Sequence, residues 1–149
     1  MRTDPWSDDV CPIARTMSVL GQRWAMLIIR EALLGRSRFS EFRERLGVAP
    51  DVLSARLSEL VAAGILEVVD YQQPGDRTRS RYVLTDAGHE LVSVLAAIGQ
   101  WGHVHRPRPH SSQYRFIDTD TGEPVRIGFQ RKDGTPVPRG QVSLQERTG

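Results

Sequence analysis

The stretch "FSEFRERLGVAPDVLSARLSELVAAG" constrains this chain more than any other. Phe39, Phe42 and Leu46 stand three and four residues apart, which predicts a short amphipathic helix, and Gly47 after the last of them is a C-terminal stop. Val48-Ala49-Pro50 is a turn. A second helix opens at Pro50 or Asp51, buries Leu53, Leu57, Leu60 and Val61, and closes at Gly64. Two short helices joined by so tight a turn read as a helix-turn-helix.

The flanks extend that reading. From Pro12 a helix is expected, with Ile13, Met17 and Leu20 recurring on one face before Gly21. Gln22 to Leu34 carries Trp24, Leu27, Ile28 and Ala32 on one stripe but is also apolar at Met26, Ile29 and Leu33, the pattern of a central, buried helix. "ILEVVDY" alternates in part, Gln73-Pro74-Gly75-Asp76 is a turn signal, and "SRYVLT" alternates again with Tyr82 and Leu84 on one face. This predicts a β-hairpin whose tip bears Arg77, Arg79 and Arg81. Thr85 can cap one more helix, Asp86 to about His103, striped by Leu91, Leu95, Ile98 and Trp101 or Gly102. It is longer than a small core needs, so part of it is expected to face a partner chain.

Past "HRPRPH" the composition shifts to Asp, Gly, Thr and Pro, with turn signals at Asp120-Thr121-Gly122 and Lys132-Asp133-Gly134 between "YRFI", "VRIGFQ" and "VSL". The expected fold is mainly α with a small β-hairpin: a winged helix-turn-helix core with a C-terminal β-rich appendage. Residues 1–10 would be an N-terminal arm, 11–104 a DNA-binding and dimerisation domain, and 105–149 a linker and small extension.

A chain of 149 residues suffices for one such domain and an appendage. No run approaches the roughly 18 apolar residues of a membrane span, and the N-terminus has no apolar segment of the signal-peptide kind, so a cytoplasmic protein is expected. The net charge is only +2, yet of 20 basic residues only Lys132 is lysine. Arginine favours planar contacts to carboxylate or phosphate.

The element order places the second helix of the pair, Asp51 to Ala63, in a DNA major groove. Such a helix needs an apolar face on the core, small or polar residues outward, and cations nearby for phosphates. Ser54 and Ala55 meet the second condition, and Arg56 could contact a base or phosphate or simply pair with Glu59 three residues on. Arg38, just before the short helix, could hold a phosphate with the N–H groups at that helix start, or be a plain surface arginine. Arg77, Arg79 and Arg81 fit a wing that straddles phosphates, although charged hairpin tips are also simply well solvated.

"CPIARTMSVLGQRWAMLIIREALLGRSRFSEFRERLGVAPDVLSARLSELVAAGILE", followed by "RYVLTDAGHEL" and "LAAIGQWG", resembles the HxlR-type transcriptional regulators over about residues 11 to 104. The resemblance implies a dimeric winged helix-turn-helix that binds double-stranded DNA and represses or activates nearby operons. It also implies dimerisation through Pro12 to Leu20 and Asp86 to His103.

Cys11 is the only cysteine. A free cysteine often only packs; at a helix entrance the positive end of the helix dipole favours a thiolate, while Asp8 and Asp9 oppose it. The resemblance adds a third consideration, since some regulators of this type sense oxidants or electrophiles with a matching N-terminal cysteine. Packing and redox sensing both stand, with an oxidant or small molecule as effector. Catalysis does not, because no partnered base or oxyanion site accompanies the thiol.

His103, His105 and His110 straddle a proline-rich linker and lack the compact spacing of a zinc site, so no metal and no cofactor is expected. Trp24, Trp101, Phe39 and Phe42 read as core or dimer packing. An enzyme has the least support. The competing class is a winged-helix protein-interaction module that does not bind DNA.

Overall fold

A computed structural model of the chain describes residues 5–110 and 113–146, which form two compact units, one ending at Leu95 and one beginning at Ala96. The first holds α1 (Pro12–Leu20), α2 (Arg23–Leu33), α3 (Phe39–Leu46), α4 (Pro50–Ala62), β1 (Leu66–Tyr71), β2 (Arg79–Leu84) and α5 (Asp86–Glu90). The architecture is mainly α with a small β-hairpin, the order of a winged helix-turn-helix.

Apolar periodicity explains most of the packing. Ile28 and Ile29 of α2, Phe42 of α3, and Leu53, Leu57 and Leu60 of α4 are fully or almost fully buried, and Val48 of the turn joins the same core. Leu66 and Leu84, paired across the hairpin base, close the core from the strand side. On α1 only Leu20 is buried, while Ile13 and Met17 face solvent.

α4 ends in a Schellman motif. The Ile65 N–H donates to the Leu60 carbonyl at 3.0 Å and the Gly64 N–H to the Val61 carbonyl at 3.0 Å, with Gly64 in the left-handed region at φ 73°. Ile65 and Leu60 are both buried in the apolar core, in the positions whose contact accompanies such a motif. The chain therefore enters β1 in a fixed direction.

β1 and β2 pair antiparallel from Leu66↔Leu84 to Tyr71↔Arg79. The Tyr82 N–H on β2 donates to the Ser37 carbonyl at 2.7 Å, which ties the approach to α3 onto the hairpin.

The expected single helix from Asp86 is instead broken at Leu91, between α5 and α6 (Val92–His105). The cause lies at the hairpin base. Thr85 Oγ1 donates to the Gly64 carbonyl at 2.6 Å and accepts from the Gly88 N–H at 3.1 Å, locking the first turn against the α4–β1 corner. Gly88 lies so close that a Cβ there would come within 2.3 Å of the Ile65 carbonyl oxygen. With this turn fixed, the Leu91 N–H bonds the Gly88 carbonyl at 3.2 Å, and a regular helix restarts at Val92.

α2 contains a residue that its apolar pattern hides. Glu31 is completely buried; Arg30 lies 2.9 Å from its Oε1, while the Nε groups of Arg36 and Arg45 lie 3.4 and 3.5 Å from its Oε2. Arg45 belongs to α3, so this buried carboxylate ties the central helix to the helix-turn-helix.

In the second unit, α6 is followed by an Ile117↔Pro124 bridge, then β3 (Phe129–Gln130) paired antiparallel with β4 (Pro136–Val137), then a short 3-10 turn at Arg139–Gln141. Both predicted turns form: the Gly122 N–H bonds the Asp118 carbonyl at 2.8 Å and the Gly134 N–H the Arg131 carbonyl at 2.9 Å. "VSL" does not extend the sheet, and Leu144 is 91% exposed because no strand covers it. Gln100 of α6 grips the backbone of Ile127 at both ends, donating from Nε2 to its carbonyl at 3.0 Å and accepting its N–H on Oε1 at 2.6 Å.

Candidate nucleic-acid interface

α4 presents Ser54 and Ala55 to solvent, because Leu53, Leu57 and Leu60 hold its opposite face in the core. Arg56 is half-buried and bonded to Glu59 one turn on, so the paired alternative weighed from sequence is the state in this structure. Contact with DNA would exchange that carboxylate for a base edge or phosphate.

Arg38 is the N-cap of α3, but arginine has no acceptor with which to cap. Glu41 makes the reciprocal contact alone: its Oε2 accepts the N–H groups of Ser37 and Arg38, both at 2.9 Å. Those two backbone bonds, first Ser37 and then Arg38, hold the Glu41 carboxyl below its ordinary range, aided by the Arg38 and Arg36 charges against the opposing effect of desolvation. The Arg38 backbone is thus fixed, and the residue is exposed.

Arg77, Arg79 and Arg81 are all exposed. The turn that carries Arg77 is braced by Gln72 Nε2, which donates to the Asp76 carbonyl at 2.9 Å, and by Asp70, which accepts from Ser80 Oγ at 2.8 Å across the hairpin. Arg38, Arg77 and Arg79 line one shallow hollow together with Tyr71, Gln73 and Asp76. The structure therefore brings the helix-turn-helix arginine and two wing arginines together. Among the described residues none of Arg38, Arg77, Arg79 and Arg81 is in an ion pair.

Cys11 is the N-cap of α1 and is exposed, so it does not pack in the core of its own chain. Its backbone N–H donates to Asp9 Oδ1 at 2.7 Å. His103, His105 and His110 are exposed too, and His105 lies against the Trp101 ring at 5.1 Å between centroids. No group of three or more metal-binding side chains occurs among the described residues, and none of their helices is long and apolar enough to cross a membrane.

Three residues escaped the sequence reading. Glu31 follows the apolar run of α2, and the only sequence sign of its pairing is the presence of Arg36 and Arg45 five and fourteen positions on. Glu41, three residues after Arg38, is the reciprocal half of a capping box without its Ser or Thr. Tyr71 ends a strand whose register with the arginines depends on the turn.

Residues 19–110 match the HxlR-like helix-turn-helix family. Rv3095, an uncharacterised HTH-type transcriptional regulator of Mycobacterium tuberculosis, is 35% identical over 111 residues, which span 74% of this chain and 69% of that protein. The crystal structure of PA1607, described as a transcription factor, is similar with a TM-score of 0.81 and 36% identity, covering 95% of this chain and 98% of its own. The redox regulator HypR in its reduced form is similar with a TM-score of 0.58 and 28% identity, covering 65% of this chain and 95% of its own. The match over more than half the length, with the helix-turn-helix and wing in place, means that the chain belongs to the HxlR-like helix-turn-helix family of transcriptional regulators.

Proposed function

We propose that this regulator binds double-stranded DNA as a homodimer, with α4 in the major groove and the hairpin as a wing along the phosphate backbone. The observation that carries this reading is the hollow lined by Arg38, Arg77 and Arg79, none of them in an ion pair among the described residues, with Asp76 the one carboxylate in its lining. Arginines so placed set register on the backbone, while Ser54, Ala55 and Arg56 are positioned to read base edges. Arg81 adds a third cation to the wing.

Dimerisation is supported by apolar side chains left in solvent on two helices: Ile13 and Met17 on α1, and Ile98, Trp101 and Val104 on α6. Two-fold symmetry calls for a near-palindromic operator with half-sites about one helical turn, roughly 34 Å, apart. In this scheme residues 11–104 carry binding and dimerisation, and residues 105–149 are an extension.

Cys11 is the proposed receiver of an oxidant or electrophile signal. Its exposure and the likeness to a redox regulator support this, and a lone thiol restricts the products to an intersubunit disulfide, a mixed disulfide or a sulfenic acid.

The experiment is binding of the purified protein to duplex DNA from its own upstream region across a salt series, with and without mild oxidant. Affinity that falls with salt and prefers that sequence over an unrelated duplex is the expected result, because phosphate contacts release counterions. Absence of binding at every salt concentration would replace this reading by a winged-helix module that docks another protein. An oxidant effect that survives Cys11→Ser would remove the thiol from the scheme.

A further inference from the structure

Tyr71 closes β1 beside the wing and pairs with Arg79; Arg81 pairs with Val69, two residues earlier, so Tyr71, Arg79 and Arg81 share one face of the hairpin. The Arg81 guanidinium carbon lies 5.9 Å from the centroid of the Tyr71 ring. That of Arg38, arriving from the start of α3, lies 5.3 Å from it. Both distances are within the range in which the negative face of an aromatic ring attracts a cation.

This convergence is built into the fold. The Tyr82 N–H holds the Ser37 carbonyl at 2.7 Å, and Glu41 holds the Arg38 N–H at 2.9 Å, so the Arg38 backbone is fixed beside the hairpin. What these backbone bonds leave to be placed is the long side chain. A guanidinium resting on a ring loses less freedom when it binds an anion than one that sweeps through solvent. Asp76 is the one carboxylate lining the hollow, against the three arginines Arg38, Arg77 and Arg79.

We infer that Tyr71 is a positioning residue: its ring presets Arg38 and Arg81, which with Arg77 and Arg79 form a cradle for phosphodiester groups of one DNA strand. The inference rests on the DNA-binding reading above and adds to it a residue that touches no base. It joins the helix-turn-helix and the wing into one phosphate-binding surface rather than two.

The test compares wild type with Tyr71→Phe, Tyr71→Leu and Tyr71→Ala, using the upstream duplex and an unrelated duplex of equal length over a salt series. Leu retains an apolar side chain on the strand should Ala unfold the hairpin, and thermal midpoints are read for all four proteins. Tyr71→Leu is expected to weaken binding to both duplexes by about tenfold and to flatten the logarithmic salt slope by about 1 to 2, as for the loss of one or two phosphate contacts. Its sequence preference stays the same. Tyr71→Phe, which keeps the ring face, stays near wild type.

A wild-type slope for Tyr71→Leu overturns the positioning role and leaves DNA binding intact. Loss in Tyr71→Phe as large as in Tyr71→Leu also overturns it, because the hydroxyl and not the ring would then be responsible. Failure of the wild type itself to bind either duplex overturns the DNA reading, and the cradle with it.

Discussion

The unit ending at Leu95 and the unit beginning at Ala96 are held together by different means. The first encloses a contiguous apolar core drawn from four helices and the hairpin, with Phe42, Ile28, Leu53 and Leu57 inaccessible to solvent. In the second, Ala96 is the only buried apolar residue among those described, and Phe129 is 54% exposed. Order there comes from polar side chains that satisfy nearby backbone groups. Asp118 accepts from the N–H groups of Asp120 and Thr121, Asp133 from that of Thr135, and Gln100 clamps Ile127. Burial binds the first unit into one cooperative body, whereas each bond in the second supports mainly its own turn.

Truncating the cores should expose this difference most strongly. Leu57→Ala removes a fully buried side chain and is expected to cost about 2–5 kcal/mol, seen as a large fall in the midpoint of chemical denaturation. Phe129→Ala, on a largely exposed ring, should change it by no more than about 0.5 kcal/mol. Equal losses would mean that the second unit shares the apolar core of the first.

Glycine substitutions sharpen the contrast through steric room. A Cβ at Gly88 would meet the Ile65 carbonyl at 2.3 Å and Leu84 Cδ2 at 2.8 Å, so Gly88→Ala should destabilise by about 1–3 kcal/mol. Gly140, in the 3-10 turn of the second unit, has nothing within 4 Å of the corresponding position. Gly140→Ala should be neutral or slightly stabilising, by up to about 1 kcal/mol, through the unfolded chain. Paired thermal melts decide the two signs.

Legibility from sequence follows the same division. Helices α1 to α4 and the hairpin were visible because apolar residues recur at 3.6 or 2 and glycine and proline mark the ends. The break at Leu91 was not, because it depends on Gly88 meeting Ile65, which lies 23 positions earlier. In the second unit the turns at Gly122 and Gly134 could be placed from local composition, but the strands could not, since two-residue pairings carry almost no period. At the candidate interface the arginines could be named one by one. The convergence of Arg38 and Arg81 on Tyr71 could not, because hairpin register and the Ser37 bond to β2 together determine it.

Gln100 tests whether the second unit really depends on single bonds. Gln100→Ala removes both contacts to Ile127 and leaves its N–H and carbonyl to water, at a net cost of about 0.5–1.5 kcal/mol. Amide hydrogen exchange should quicken at Ile127 and its neighbours, while protection at Leu57 is unchanged. Spread of the effect into the α4 amides would show that this clamp supports more than its own turn.

The smallest expected effect is a pH dependence, and it compares one carboxylate from each unit. Glu41 and Asp133 both titrate below their ordinary ranges, chiefly because backbone N–H groups bond them: Ser37 and then Arg38 for Glu41, and Thr135 for Asp133. A carboxyl whose folded pKa lies below its unfolded value adds stability that is complete above the unfolded value and is lost as pH falls through the folded one. For Glu41 the loss begins near its reference value of 4.5 and continues below it. It caps α3 inside the cooperative unit, so the loss should appear in global unfolding. Glu41→Gln is expected to lower stability at neutral pH by about 0.3–1 kcal/mol and to flatten its decline on acidification. Asp133 is fully exposed in a turn of the second unit, so Asp133→Asn should leave the global curve unchanged and loosen only the Thr135 amide. A denaturation series from pH 7 to 3 on both variants checks this, and an equal response from Asp133→Asn would show that the turn is coupled to the core.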